Sequence, residues 1–443
     1  MRFTRRQTLL SALFGAGYVG LRALATGLPA SFLLNPRRAL AATPAPSCVA
    51  KDKAQFIILA TSGNGDPINA NVPGTYADGN ATAAQALDKI THSDPGATLS
   101  LGGQQWKASS AWATLPQSVL DRSAFFHLMT NTPVHPKEPD VLKLMGATYQ
   151  SEMLPSLLAK QLAPCLGTVQ AQPITIGATS PSEGLVYDGQ ALPIIPPLSL
   201  KATLANPAGP LTNLQALRDS TLQQLHDLYK NGANQSQRAY LDSLILSQKQ
   251  ARNINQNLLN ALDSIADNTI DSQLTAALTL VQMKVTPVVA IHIPFGGDNH
   301  HDAGLATEMA QTQSGVASIA SLMTQLASLG LADQVTFLSL NVFGRTLGPA
   351  NTDGRQHNGN HQVSIAIGKP FRGGVIGGVA PVAGDYGALA IDAKTGRGSS
   401  GGSIAAVDTL ASFGKTTLAA VGVDAGTIAT TITSGQVIAG ALA

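Results

Sequence analysis

The sequence predicts an α/β protein built on a mainly parallel sheet with helices on both faces. Three observations lead there. Short apolar runs recur without the polar alternation of a half-exposed strand: QFIILA (Gln55–Ala60), SAFFHLMT (Ser123–Thr130), PVVAIHI (Pro287–Ile293), QVTFLSL (Gln334–Leu340) and QVSIAI (Gln362–Ile367). Such runs fit strands covered on both sides. Long segments with leucines three or four residues apart lie between some of them, which fits helical crossovers and hence parallel pairing. Loops rich in Gly, Asn and Asp follow the strands, as in TSGNGDP after the first.

The chain begins with TRRQTLL (Thr4 to Leu10), twin arginines ahead of a small-residue apolar run that reaches Leu34 and is followed by Ala39-Leu40-Ala41. This pattern reads as a twin-arginine export signal, residues 1–41, cut after Ala41. Arg22 and Pro29 interrupt the run and oppose its other reading, an uncleaved membrane anchor. The mature part, residues 42–443, is expected to be periplasmic or secreted. Its first partner is then the twin-arginine export machinery, and it touches a membrane only if the signal stays on. The mature residues form one α/β domain with ample material for a core.

Only 12% of residues are charged and the net charge of +2 includes arginines of the signal, so the mature chain is close to neutral. A basic nucleic-acid surface is therefore excluded. Cys48 and Cys165 both follow the cut, and an oxidising compartment would permit a bridge between them or leave two thiols.

Between Leu211 and Met283 the leucines at 214, 217, 222, 225, 241, 244, 258 and 262 mark successive helices, with Asn231-Gly232 as a break. This block, about 211–283, reads as a helical insertion that caps the sheet and serves packing or substrate access. The proline-rich stretch Pro173–Pro210 reads as an irregular surface connection. A helix over about 304–329 follows the segment Asp298 to Asp302, so its N-terminus points toward those residues. A last helix is expected over about 403–413.

Chemistry concentrates between His292 and His361, which hold five of the nine histidines together with Asp298, Asp302, Asp353 and Arg345. Imidazoles and carboxylates crowded into loop sequence are what a metal or anion site needs. Asp298, His300 and His301 stand at a strand-to-helix loop, and His357 and His361 flank Gly359. Arg345 follows a buried strand, where its fork of donors suits a phosphate or sulfate group. His292, inside an apolar strand, reads as a buried, hydrogen-bonded core histidine. The glycine pairs after residue 372 lack the strand-to-helix setting of a dinucleotide loop, and Gly398-Ser399-Ser400-Gly401 lacks the spacing of a serine-hydrolase elbow.

The segments TSGNGDPINANVPG, GGDNHHD, NVFGRT, GRQHNGNH and RGGVIGG, in this order, resemble the exported domain of unknown function 1501 family, a branch of the alkaline phosphatase and sulfatase superfamily. The resemblance runs in islands from about Phe56 to the C-terminus. It implies an alkaline-phosphatase-like fold in which Asp66 aligns with the first metal-binding aspartate, Asp298 and His300 with a D-T-H motif, Arg345 with E-F-G-R-T and His357 with G-R-D-H. The expected activity is metal-dependent hydrolysis of small anionic phosphate or sulfate esters. A divalent ion (Zn, Mg, Mn or Ca) would be held among Asp66, Asp298, His300, His301, His357 and His361, with Arg345 and Thr132 catalytic. Val342 and Gln356 replace carboxylates of those motifs, and Val134 stands where the family has the serine of a Ser-His pair, leaving Thr132 as the nearest hydroxyl. These departures favour the alternative, a non-catalytic binding or assembly protein on the same fold with an envelope partner.

Overall fold

A computed structural model describes residues 55–65, 68–81, 85–168, 170–177, 183–205, 256–292, 299–348 and 354–443, with a few positions between 220 and 238. The export signal, Cys48, Asp66, Asp298, Asp353 and most of the leucine-rich block before 256 lie outside them. Among the described residues no helix is long and apolar enough to cross a membrane.

The protein is α/β. Eight strands belong to the main sheet: β1 (Phe56–Ser62), β2 (Ser123–Leu128), β3 (Ile174–Ile176), β4 (Ile194–Ile195), β5 (Val288–Ile291), β6 (Val335–Asn341), β7 (Gln362–Ile367) and β8 (Gly374–Ile376). The chain divides into two compact units, the larger holding 49–158, 179–183 and 290–443, and the smaller 159–178 and 184–289. The division runs through β5.

In the larger unit the strand order is β8-β2-β7-β6-β1. β1 pairs parallel with β6 from Phe56 opposite Val335 to Ser62 opposite Asn341, and β8 pairs parallel with β2. β7 runs against both its neighbours, β6 and β2. The cause is local: residues 342–361, which join β6 to β7, contain no helix among those described and return the chain directly, whereas a parallel return needs a crossover.

Every residue of β1, β2, β6 and β7 is buried. Adjacent residues of β2 show why the apolar runs are continuous. The Phe125 ring meets Trp112 edge-on at 5.0 Å, while the next ring, Phe126, meets Phe413 at 5.1 Å. Because successive strand residues face opposite ways, both faces of β2 are covered. Phe413 belongs to α3 (Thr409–Ala420), which follows two other helices of this unit, α1 (Glu138–Leu142) and α2 (Ala306–Ser328).

The smaller unit pairs β3 with β4 in parallel, Thr175 opposite Ile194 and Ile176 opposite Ile195. Its helices include Pro197–Ala205, Gln256–Asp263 and Ile270–Gln282. Lys201 Nζ donates to the carbonyls of Asp263 and Ile265 at 2.9 and 3.0 Å, placing a cation at a helix C-terminus where the backbone dipole favours it.

Two expectations need correction. The stretch 173–210 carries sheet strands β3 and β4 and the helix Pro197–Ala205. Its prolines flank the β-branched runs Ile174-Thr175-Ile176 and Ile194-Ile195, so no ladder N–H is lost. The helix expected over 403–413 begins at Thr409 and runs to Ala420, later and longer, and a further helix, Ala425–Thr431, follows it. Ile404 is held extended by hydrogen bonds in both directions with Ile391, at 2.9 Å each, which postpones the helix start.

Candidate functional site

β1 ends at Ser62 and β6 at Asn341, and the loops that leave these carboxyl ends build the site in the larger unit. Parallel α/β sheets present ligand sites at that edge. Gly65 turns the first loop with φ +90, and a Cβ there would lie 2.4 Å from the Phe343 ring. The fully buried Phe343 is thus laid against backbone that only glycine can supply.

Phe343 is the floor on which three side chains gather. His357 stacks on it at 4.3 Å, His135 meets it edge-on at 4.9 Å, and the Arg345 guanidinium lies 5.6 Å above it. The His135 ring stands perpendicular to His357 at 4.6 Å. A two-residue antiparallel ribbon sets Arg345 directly opposite His357. His300, from the loop before α2, completes the group, its Nε2 2.9 Å from His357 Nε2 and 3.4 Å from Arg345 Nη1.

Hydrogen bonds fix how these rings present themselves. His357 Nδ1 donates to the Pro133 carbonyl at 2.7 Å, so the Nε2 lone pair points at His300. His135 Nδ1 donates to the Gly63 carbonyl at 2.7 Å. Burial, and then the neighbouring charge of Arg345, hold His357 below the ordinary histidine pKa, which keeps it neutral at pH 7. Arg345 is fully buried, its Nη2 donating to the Asn64 carbonyl at 2.9 Å.

The loops that carry His300 and His357 are tied together by a buried knot. Glu308, in the first turn of α2, forms a fully buried ion pair with Arg355 and accepts from Asn299 Nδ2 at 3.1 Å and Asn71 Nδ2 at 2.8 Å. Arg355 N donates to the Asn299 carbonyl at 3.0 Å. Asp302 accepts from the amides of Thr307 and Glu308 at 3.0 and 2.8 Å, so the start of α2 does face this loop, and the carboxylate spends itself on the helix end.

On the other side of Gly63 lies a second polar group that sequence reasoning did not single out. Glu138, at the start of α1, and Glu183 are both buried, with Thr61 Oγ1 bonded to Glu138 Oε1. Gly63 N donates to Glu183 Oε1 at 3.3 Å, and His292 Nδ1 lies 3.6 Å from Glu183 Oε2. Burial, reinforced by the Glu183 charge, pushes the Glu138 carboxyl up to about 8. The Thr61 hydroxyl donates to Glu138 Oε1 and opposes that rise without cancelling it.

The expected residues therefore separate. His300, His357 and Arg345 come together, and His135 joins them. Thr132 is buried immediately before Pro133, whose carbonyl orients His357, and a Cβ on Gly359 would meet the Thr132 backbone at 2.7 Å. His301 is exposed and is not part of the group. His361 is fully buried with both ring nitrogens committed: Asn69 Nδ2 donates to Nδ1 at 3.1 Å, and Nε2 meets His127 Nδ1 at 2.9 Å. His127 Nε2 in turn donates to the Pro73 carbonyl at 2.9 Å, so no lone pair of His361 is left for a cation. Asp66 and Asp298 lie outside the described residues.

Three imidazoles gather around a buried guanidinium on an aromatic floor, a cluster whose cation suits an anion. Among the described residues no three His, Cys, Asp or Glu side chains are arranged to enclose a metal ion. The His300 and His357 nitrogens supply two neutral donors at most, so a divalent ion there would need Asp66 and Asp298 as its negative ligands.

No protein-family model matches this chain, and neither does any curated protein.

Proposed function

We propose that this protein binds and hydrolyses small phosphate or sulfate esters outside the cytoplasm, on an alkaline-phosphatase-like fold. The observation that carries the reading is the convergence of Arg345, His300, His357 and His135 at the carboxyl edge of the sheet. Arg345 donates to non-bridging oxygens of the ester, since a guanidinium fork matches a tetrahedral oxyanion. His357, neutral, takes the proton of an attacking water or of the Thr132 hydroxyl on Nε2, which the incoming ester first frees from His300. His135 and His300 line the same space and stabilise charge that develops on the ester oxygens. Were a divalent ion held by Asp66 and Asp298 with His300 and His357, the His357 lone pair would go to the ion, which would supply Lewis-acid polarisation in place of that proton transfer. The twin arginines Arg5 and Arg6 and the A-x-A site support export, with residues 42–443 acting in the periplasm or beyond.

A second reading rests on Val342 and Gln356, which stand where the resembled family has carboxylates: the site binds an anionic group of an envelope partner without hydrolysing it. One set of measurements separates the two. The purified mature chain is assayed on p-nitrophenyl phosphate and sulfate with Zn, Mg, Mn or Ca, and its thermal midpoint is followed against inorganic phosphate and sulfate. Hydrolysis is expected to rise with pH through a midpoint below 6.5, the ordinary histidine value, because His357 must be neutral. Arg345→Lys should cost about a hundredfold in kcat/KM by losing the bidentate contact. Anion binding without turnover on any metal selects the binding reading, and the absence of both sinks the site.

A further inference from the structure

A groove that shares no lining residue with the histidine pocket runs along the hairpin formed by Ala97–Leu101 and Gln104–Ala108. It consists of two cavities, about 310 and 560 Å³, that share Asn80, Gln104 and Trp106. Arg372 and Arg397 line the first cavity, where no carboxylate lines the wall, and Lys107 lines the second together with Asp78. In a chain with only 12% charged residues, two guanidiniums on one carboxylate-free wall are a concentrated positive field.

The two arginines are exposed, and among the described residues neither guanidinium enters a hydrogen bond or ion pair. Their backbones, by contrast, are pinned. Arg372 N donates to the Ala441 carbonyl at 3.0 Å, the Arg397 carbonyl accepts from Asp392 N at 2.9 Å, and Gly398 N donates to the Gly377 carbonyl at 2.9 Å. The hairpin turn is seated just as closely, since a Cβ on Gly102 would come within 2.2 Å of the Gly373 carbonyl oxygen. The groove is thus a preformed surface, which lowers the ordering cost of binding.

Trp106 stands where the two cavities meet. Its ring, the amides of Asn80, Gln85 and Gln104, and guanidiniums at one end match a ligand with apolar ring faces, many hydroxyls and acidic groups. We propose that this groove binds an acidic oligosaccharide, with the ring beside Trp106 and a carboxylate or sulfate group on Arg372 and Arg397. The second cavity, past Trp106 toward Lys107, adds about 560 Å³ for further sugar units. A single-stranded nucleic acid would ask for several stacking rings along the path, and the groove offers one.

The test titrates the mature chain with an oligogalacturonate, a heparin-derived tetrasaccharide, maltotetraose, oligo-dT and inorganic sulfate, using calorimetry and iodide quenching of tryptophan. Trp112 is fully buried, so quenching reports Trp106. Saturable binding of the uronate or the sulfated sugar, with protection of Trp106, supports the proposal, and the better of the two identifies the acidic group. The double variant Arg372→Ala/Arg397→Ala should weaken that binding by at least about tenfold at an unchanged thermal midpoint, and Trp106→Phe by a similar factor. The proposal is overturned if neither acidic sugar binds, if maltotetraose or oligo-dT binds as well, if sulfate alone accounts for the affinity, or if the double variant binds like the parent. Ester hydrolysis in the double variant reads the histidine pocket separately, so failure of one site is distinguishable from failure of the other.

Discussion

His127 and His361 form a closed chain of donors and acceptors from Asn69 to the Pro73 carbonyl, and neither ring can take another proton without breaking it. Burial accordingly lowers His127 from 6.5 to about 4. Below pH 6.5 the unfolded chain binds a proton that the folded chain refuses, so the stability present above 6.5 is lost as pH falls toward 4. Glu138 acts at the other end of the scale. Its carboxyl is raised from 4.5 to about 8, so folding loses stability as pH rises through that window. Urea midpoints measured across pH should show both limbs. His127→Gln is expected to flatten the acid limb, and Glu138→Gln to flatten the alkaline limb and raise the midpoint at pH 8. Unchanged slopes in both variants would refute these assignments. The sequence showed which histidines were crowded together but not which were bonded to one another, because a ligand and a core imidazole are the same letter. What separates His361 from His357 is the neighbour of each nitrogen, and Asn69, His127 and Pro133 come from distant parts of the chain.

At the scale of elements, the strands were legible and the small connections were not. β7 was read to the residue, and β1, β2, β5 and β6 within a few residues, because both of their faces are apolar and a buried strand leaves a continuous run. The helix expected over 304–329 is α2, Ala306–Ser328, legible through its length. β3 and β4 were lost to the prolines around them, since three residues carry no periodicity. The knot that joins the loop before α2 to the loop before β7 was equally silent. Glu308 looks like any acidic residue in a first helical turn, and its partner Arg355 is 47 positions away. Breaking this pair by Glu308→Gln or Arg355→Met should cost about 3–5 kcal/mol, because the remaining charge stays buried and unpaired. Thermal unfolding measures that loss. A loss under about 1 kcal/mol would mean that the knot behaves like a surface pair.

For the molecule as a whole, sparse charge predicts indifference to salt. The exposed or half-exposed pairs Arg122–Asp333, Lys137–Asp140 and Lys160–Asp188, at 2.7 to 2.8 Å, are the kind that salt screens and that contribute little. The pair that matters, Arg355–Glu308, is sealed from solvent. Raising sodium chloride from about 0.02 to about 0.5 M should therefore change unfolding free energy by less than about 1 kcal/mol. A larger loss would show that long-range electrostatics holds the fold. The candidate site was legible as a region, since His300, Arg345 and His357 were all expected. The two glutamates and His135 were missed because each is the single functional residue of its own segment.

Arg345 and His357 occupy one rung of a ribbon only two residues long. The backbone gives them a common fate: a substitution that shifts either strand displaces the opposite side chain by the same amount. Single replacements at these two positions should therefore be strongly epistatic, and a search for altered ligand preference has to diversify both codons together, because each is the other's context.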